Sequence, residues 1–264
     1  MTEGAQKTAL ITGASAGLGA EFTRQLAAEG YRFVLIARRK GRLDQLGDEL
    51  RAEFGVESES LVADLATTEG VATVENRIRQ LDDLDLLINN AGFGTFGNFA
   101  EIEFQTQLDM LHVHVTATIQ LTRTALDGMI PRGRGYIINV SSLAGFLHGG
   151  RSVTYCATKA YLNSFSESLA DELRGTGVQV QALCPGFTYT EFHDTQLLDN
   201  FDRKSVPGFM WMPADRVVRK SLAARKSRRV IVIPGFLNRF FKGLLTSSLL
   251  KPLTSLLAKQ TRGE

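Results

Sequence analysis

A short apolar run, Lys7 to Ile11, leads into TGASAGLGAE and then into the helical pattern EFTRQLAAEG, which Gly30 closes. A strand, a glycine-rich turn and a helix in that order form the opening of a dinucleotide-binding βαβ unit. Glycines at 13, 17 and 19 allow positive φ and let a pyrophosphate come close to the helix N-terminus. The free N–H groups and the helix dipole there favour an anion.

The chain continues the alternation that this opening sets. YRFVLIAR reads as a buried strand by its continuous apolar content, RRKGRLDQLGDELRAEFG as a helix and VESESLVADL as a third strand. The helix VATVENRIRQL precedes a fourth strand, DLLINNAG. A long helix over Glu103 to Met129 precedes a fifth, GYIINVSS. A helix following Tyr155 leads to a sixth strand, VQVQALCPG, and RVIVIPG reads as a seventh. Alternation of this kind predicts an α/β fold: a Rossmann-type doubly wound parallel sheet of about seven strands with helices on both faces. No linker or repeat divides the chain, so 1–264 is expected to form a single domain. Right-handed crossovers put every strand C-terminus on one edge, where ligands of such sheets bind. Gly13, Asn89, Ser142, Tyr155 and Pro185 all fall near strand ends and should converge there.

Two stretches depart from the alternation. After Gly186 a long segment carries Phe187, Phe192, Leu197, Leu198, Phe209, Met210, Trp211 and Met212. Such a loop in a compact domain is usually functional, and 187–212 is expected to be an apolar lid over the site. The ending is basic: 12 of the 30 Lys/Arg but only 2 of the 28 Asp/Glu lie from Pro213 onward. Within 236–258, Phe236, Phe240 and Leu244 recur every four residues, as do Leu237, Phe241 and Leu245, and Leu249, Leu253 and Leu257 continue past Pro252. This amphipathic basic segment has three readings: packing on the domain or a second subunit, covering an apolar channel, or peripheral contact with a membrane surface. Its surplus charge could equally attract a phosphorylated or CoA-type substrate.

The start lacks a basic region followed by an apolar run, and no stretch of ~18 apolar residues exists, so a cytoplasmic protein is expected. Cys156 and Cys184 form no framework and read as buried thiols, and His112, His148 and His193 show no ligand spacing. No metal site and no nucleic-acid binding are expected.

Tyr155 and Lys159, four residues apart, would share one helix face. A phenol is a poor acid at neutral pH, and a cation held beside it favours its ionised form. Such a pair also occurs by chance on helix surfaces, so the weight comes from its company. Taken together, TGxxxGxG at Thr12–Gly19, NNAG at Asn89–Gly92, YxxxK at Tyr155–Lys159, Ser142 thirteen residues before the tyrosine, Asp64, and the run of Pro185, Gly186 and Thr190 resemble the short-chain dehydrogenase/reductase family, in its larger soluble branch. The likeness extends over almost the whole chain to about Phe192.

The resemblance implies that Tyr155 exchanges a proton with a carbonyl or alcohol oxygen. Lys159 would lower the tyrosine pKa and hold the nicotinamide ribose, and Ser142 would donate to the oxygen on which charge develops. It also implies a cofactor-binding set of Thr12, Gly13, Ser15, Gly17, Leu18, Gly19, Asp64, Leu65, Asn90, Ala91, Gly92, Pro185, Gly186, Thr188 and Thr190. Thr188 and Thr190 serve equally well as turn or cap residues. One position departs from the family: His114 stands where a catalytic Asn supports a helix distortion and a water chain from the lysine. Imidazole both donates and accepts, so His114 is expected to carry that relay; the alternative is a His that is only packed.

Cofactor choice is read from the end of the second strand. An acidic residue there would bind a ribose 2′-OH, but this chain has Ala37-Arg38-Arg39-Lys40. Arginine meets a phosphate through a forked, charge-assisted pair, so NADP(H) is expected, with Arg38 the main determinant and Arg39 second. The expected function is interconversion of a ketone and a secondary alcohol on a hydrophobic substrate, such as a 3-oxoacyl chain, a steroid-like ketone or a bulky aliphatic ketone, by a homo-oligomer. The alternative is an NADP-binding sensor or scaffold on the same fold.

Overall fold

The computed structural model describes residues 7–199 and 201–246. Its strands are β1 (Thr8–Thr12), β2 (Arg32–Ala37), β3 (Ser58–Val62), β4 (Leu84–Asn89), β5 (Gly135–Val140), β6 (Val178–Leu183), β7 (Thr188–Tyr189), β8 (Met212–Pro213) and β9 (Ile231–Val232). Seven of them form one sheet in the order β3-β2-β1-β4-β5-β6-β9, every pairing parallel. The order reverses between β1 and β4, which makes their C-terminal ends the topological switch point. The helices are α1 (Gly17–Ala27), α2 (Lys40–Phe54), α3 (Thr68–Arg79), α4 (Phe104–Leu111), α5 (Ala117–Met129), α6 (Val153–Glu172), α7 (Ala214–Ala224) and α8 (Phe236–Thr246).

Strand alternation sorts the apolar residues between two cores. Ile11, Phe33, Leu35 and Ile88 pack against Phe22 and Leu26 of α1, Leu43 and Leu50 of α2, and Val218 of α7. Leu10, Val34, Ile36 and Leu87 face the other way, onto Val74 of α3, Leu121 of α5 and Leu169 of α6. Each fully buried Leu, Ile or Phe stabilises the layers by about 1.5–3 kcal/mol. The helix ends are set locally. Gly55 adopts φ 66° after α2, and Thr67 caps α3 by accepting from the Gly70 amide at 3.0 Å.

The helix expected over Glu103 to Met129 is divided. His112–Thr116 forms a π turn between α4 and α5, with His114 buried at its centre. Such single π turns occur frequently at functional sites.

The segment 187–212 is a folded unit. β7 pairs with β8, and Phe187, Phe201, His193 and Trp211 pack on one another, with the Phe187 and Phe201 rings stacked at 5.8 Å and His193 meeting Trp211 edge to face at 5.0 Å. Much of its aromatic surface is therefore used internally. Its Phe192 end reaches Tyr155, with ring centres 6.0 Å apart.

α8 packs on the turn Leu143–Phe146 and on Gly186, where an added Cβ would lie 2.7 Å from Asn238 Oδ1. Phe236, Leu237 and Phe240 point outward. The continuation of the amphipathic pattern over 247–258 lies outside the described residues. Among those described, no helix is long and apolar enough to cross a membrane.

Candidate active site

The switch point is tied by Thr12, the last residue of β1. Its hydroxyl accepts from the amides of Asn90 (2.9 Å) and Ala91 (3.0 Å), while Asn90 Nδ2 returns a bond to Thr12 O at 2.9 Å. Gly13, with φ 66°, has no room for a side chain against Ala91, and a Cβ at Gly19 would lie 2.3 Å from the Gly13 carbonyl. The turn is thus closed by backbone. α1 begins at Gly17 without a side-chain cap, so its first N–H groups are left to an external partner. These residues fit a dinucleotide pyrophosphate. Leu18 turns instead toward the core.

Ser15 Oγ accepts from Arg39 Nε at 3.3 Å and Nη2 at 3.0 Å, which draws Arg39 across the turn. Arg38 extends into solvent, its side chain 74% exposed and its Nη1 3.8 Å from Asp64 Oδ2. Asp64 also accepts from the Ala66 amide, and Leu65 is buried beside it. Gly70 permits this loop to close, since a Cβ there would lie 2.0 Å from the Asp64 carbonyl.

Tyr155 and Lys159 stand one turn apart on α6, with Lys159 Nζ 5.6 Å from the tyrosine ring centre. Lys159 is buried and donates to the Val140 carbonyl at 2.9 Å. Burial lowers its pKa to about 7, opposed by Cys184. Burial likewise pushes Tyr155 up to about 12, opposed by a hydrogen bond from Ser142. The expected lowering by Lys159 is not among the influences on the Tyr155 phenol, which desolvation dominates. Ser142 also accepts from the Ala144 amide at 3.1 Å, which fixes the turn carrying it. That turn lies against α6 at Gly145, where a Cβ would be 2.7 Å from the Lys159 carbonyl oxygen.

His114 is held from both sides. Nε2 accepts from the Phe93 amide at 3.1 Å, so Nδ1 carries the proton and donates to Thr158 Oγ1 at 2.9 Å. Thr158 in turn donates to the Tyr155 carbonyl at 2.9 Å. Burial, with Lys159 nearby, pulls the imidazole pKa well below its usual value and keeps the ring neutral. Gly92 is required here, since a Cβ would lie 2.6 Å from Nε2.

Pro185 accepts from the Leu143 amide at 2.8 Å and so joins the serine turn to the end of β6. Thr188 donates to the Gly186 carbonyl at 3.0 Å, and Thr190 accepts from the Phe192 amide at 3.3 Å. Both threonines therefore make local turns, although Thr190 also covers Gly17, where a Cβ would lie 3.2 Å from its own. Phe192 follows, with its ring 6.0 Å from that of Tyr155.

Sequence reasoning missed Asn139, a polar residue inside an apolar strand, which was the available signal. It accepts from Asn89 at 2.9 Å and donates to Ser166 at 3.0 Å, bracing β4, β5 and α6 under the site. It also missed Glu191 and Arg42, whose side chains meet at 2.9 Å across 149 residues of chain.

Comparison with known proteins bears on the family and the fold. Residues 7–200 match the short chain dehydrogenase family. A protein of Myxococcus xanthus described as an uncharacterized oxidoreductase is 40% identical over 199 residues, 74% of this chain and 77% of that one. A putative ketoacyl reductase of the granaticin polyketide synthase from Streptomyces violaceoruber is 37% identical over 70% of this chain and 69% of its own length. Among solved structures, a short-chain dehydrogenase from Sphingobium yanoikuyae in complex with NADPH is 33% identical, with a TM-score of 0.82 over 96% of this chain and 95% of that one. A bulky-bulky ketone specific alcohol dehydrogenase from Comamonas testosteroni is 29% identical, with a TM-score of 0.78 over 98% and 94%. A short chain dehydrogenase/reductase from Burkholderia phymatum in complex with NAD is 26% identical, with a TM-score of 0.79 over 92% and 94%.

Proposed function

This chain belongs to the short-chain dehydrogenase/reductase family, and from that premise we propose that it interconverts a ketone and a secondary alcohol on an apolar substrate with NADP(H). The observation that carries the reading is the convergence of Ser142, Tyr155 and Lys159 beside a glycine turn whose helix N-terminus is uncapped. When bound, the nicotinamide supplies or accepts the hydride. In reduction, Tyr155 gives its hydroxyl proton to the carbonyl oxygen as the carbon gains hydride. Ser142 donates to the same oxygen and holds the developing charge. Lys159, protonated, stabilises the phenolate left behind. Oxidation of the alcohol runs the same transfers backwards.

His114 acts as a positioning residue. It fixes Phe93, on the loop after β4, and through Thr158 the backbone of Tyr155. The dinucleotide is NADP(H) in this reading because Arg38 and Arg39 follow β2 with no acidic residue at that strand end. An NADPH-bound relative supports this, although an NAD-bound one is also similar.

An apolar substrate fits Phe192 beside Tyr155 and Phe93 beside His114. The similarity to proteins named for bulky ketones and for ketoacyl reduction points the same way. Exposed Phe104, Leu111 and Ile119 on α4 and α5 suit a homo-oligomer formed through those helices. The test is NADPH oxidation, followed by absorbance, over a panel of long-chain, cyclic and short polar ketones. Turnover favouring apolar ketones is expected. Binding of NADPH with no turnover on any ketone, and none on the matching alcohols with NADP+, would instead favour a sensor.

A further inference from the structure

Glu191 sits between two contacts that belong to different parts of the site. Before it, Thr190 covers Gly17 of the cofactor turn; after it, Phe192 packs beside Tyr155. Its carboxylate spans two arginines, with Oε1 2.5 Å from Arg39 Nη2 and Oε2 2.9 Å from Arg42 Nη1. Arg39 is shared with Ser15 of the glycine turn. A carboxylate placed this way occupies guanidinium groups in the manner of a phosphate.

We propose that Glu191 is a specificity-determining residue, an internal anion that competes with the 2′-phosphate of NADP(H) for Arg39 and Arg42. The inference rests on the NADP(H) reading above. The two anions repel when they share one guanidinium pair, so binding of the phosphate releases Glu191. The same short strap carries Phe192, and its release uncovers Tyr155. A dinucleotide without the 2′-phosphate leaves the strap in place. Cofactor discrimination and access to the catalytic tyrosine are thereby linked through three consecutive residues.

Each exposed ion pair is weak, so the competition is modest: removing the charge should tighten phosphate binding roughly three- to tenfold. The experiment compares the protein with its Glu191→Gln variant, titrating NADPH, NADH and 2′,5′-ADP by fluorescence or calorimetry. The variant should bind NADPH and 2′,5′-ADP more tightly and NADH unchanged, and the difference should shrink at high salt. In the unmodified protein 2′,5′-ADP should also speed limited proteolysis within 190–212, whereas the variant should be cut quickly without it. If the unmodified protein prefers NADPH but Glu191→Gln leaves NADPH affinity unchanged or weaker, the competition is overturned and the cofactor assignment stands. If the unmodified protein binds NADPH and NADH equally, the cofactor assignment falls and the inference falls with it.

Discussion

His114 Nδ1 and Thr158 Oγ1 are hydrogen-bonded at 2.9 Å, and this contact joins the π turn to the helix that carries Tyr155. With Nε2 accepting from the Phe93 amide, both ring nitrogens are engaged. His114→Ala takes the acceptor from the Phe93 amide and the donor from the Thr158 hydroxyl, opens a buried cavity, and should cost about 2–4 kcal/mol of stability, read by denaturant unfolding. Its kcat should fall roughly ten- to hundredfold through misplacement of Tyr155. His114→Asn should recover part of both. A positioning role leaves the shape of the pH–rate profile unchanged in both variants; a proton relay through the ring would alter it.

The frame of the fold was legible because it rests on periodicity and on glycines. Continuous apolar runs mark β1, β2 and β4 as strands covered on both faces, and the glycines of Thr12–Gly19 fix the turn by sterics alone. The π turn was not legible from residue pattern, because one extra residue in a helix leaves no compositional trace. Glu191 and Arg42 were likewise invisible: each reads as a solvated charge until the fold brings them together. Asn238 was hidden inside an apolar repeat, yet it is buried and donates to the Pro234 carbonyl at 2.8 Å. Long-range polar contacts of this kind depend on tertiary placement and have no sequence period.

Gly19 has no space for a methyl group against the Gly13 carbonyl. Gly19→Ala should push α1 away from the turn, lower stability by about 1–3 kcal/mol and abolish tight dinucleotide binding. Gly41 lies on α2 with open space around it, so Gly41→Ala should raise stability by about 0.5–1 kcal/mol and leave nucleotide titrations unchanged.

Arg38 follows β2 directly and extends into solvent, 3.8 Å from Asp64. Arg38→Asp should weaken NADPH binding about ten- to hundredfold while NADH binding holds or improves. Equal losses for the two nucleotides in parallel titrations would contradict the assignment.

Lys159 is lowered by burial to about 7, from 10.5. Between those values the unfolded chain holds the extra proton, so this group makes stability rise as pH climbs from about 7 toward 10.5. Thermal unfolding across that range should show the rise, and Lys159→Met should flatten it. Tyr155, raised to about 12, keeps its proton throughout that window. Reduction should therefore decline as pH passes upward through the lysine titration, because the charge that stabilises the phenolate is lost.

The central claim is that the Tyr155 hydroxyl moves the proton. The most direct measurement is steady-state reduction of the best ketone by Tyr155→Phe, paired with NADPH titration of the same variant. The phenyl ring keeps the packing with His114 and Phe192 and removes only the hydroxyl. The account predicts a loss of roughly a hundredfold or more in kcat, with NADPH affinity retained. Undiminished turnover by the variant would contradict it.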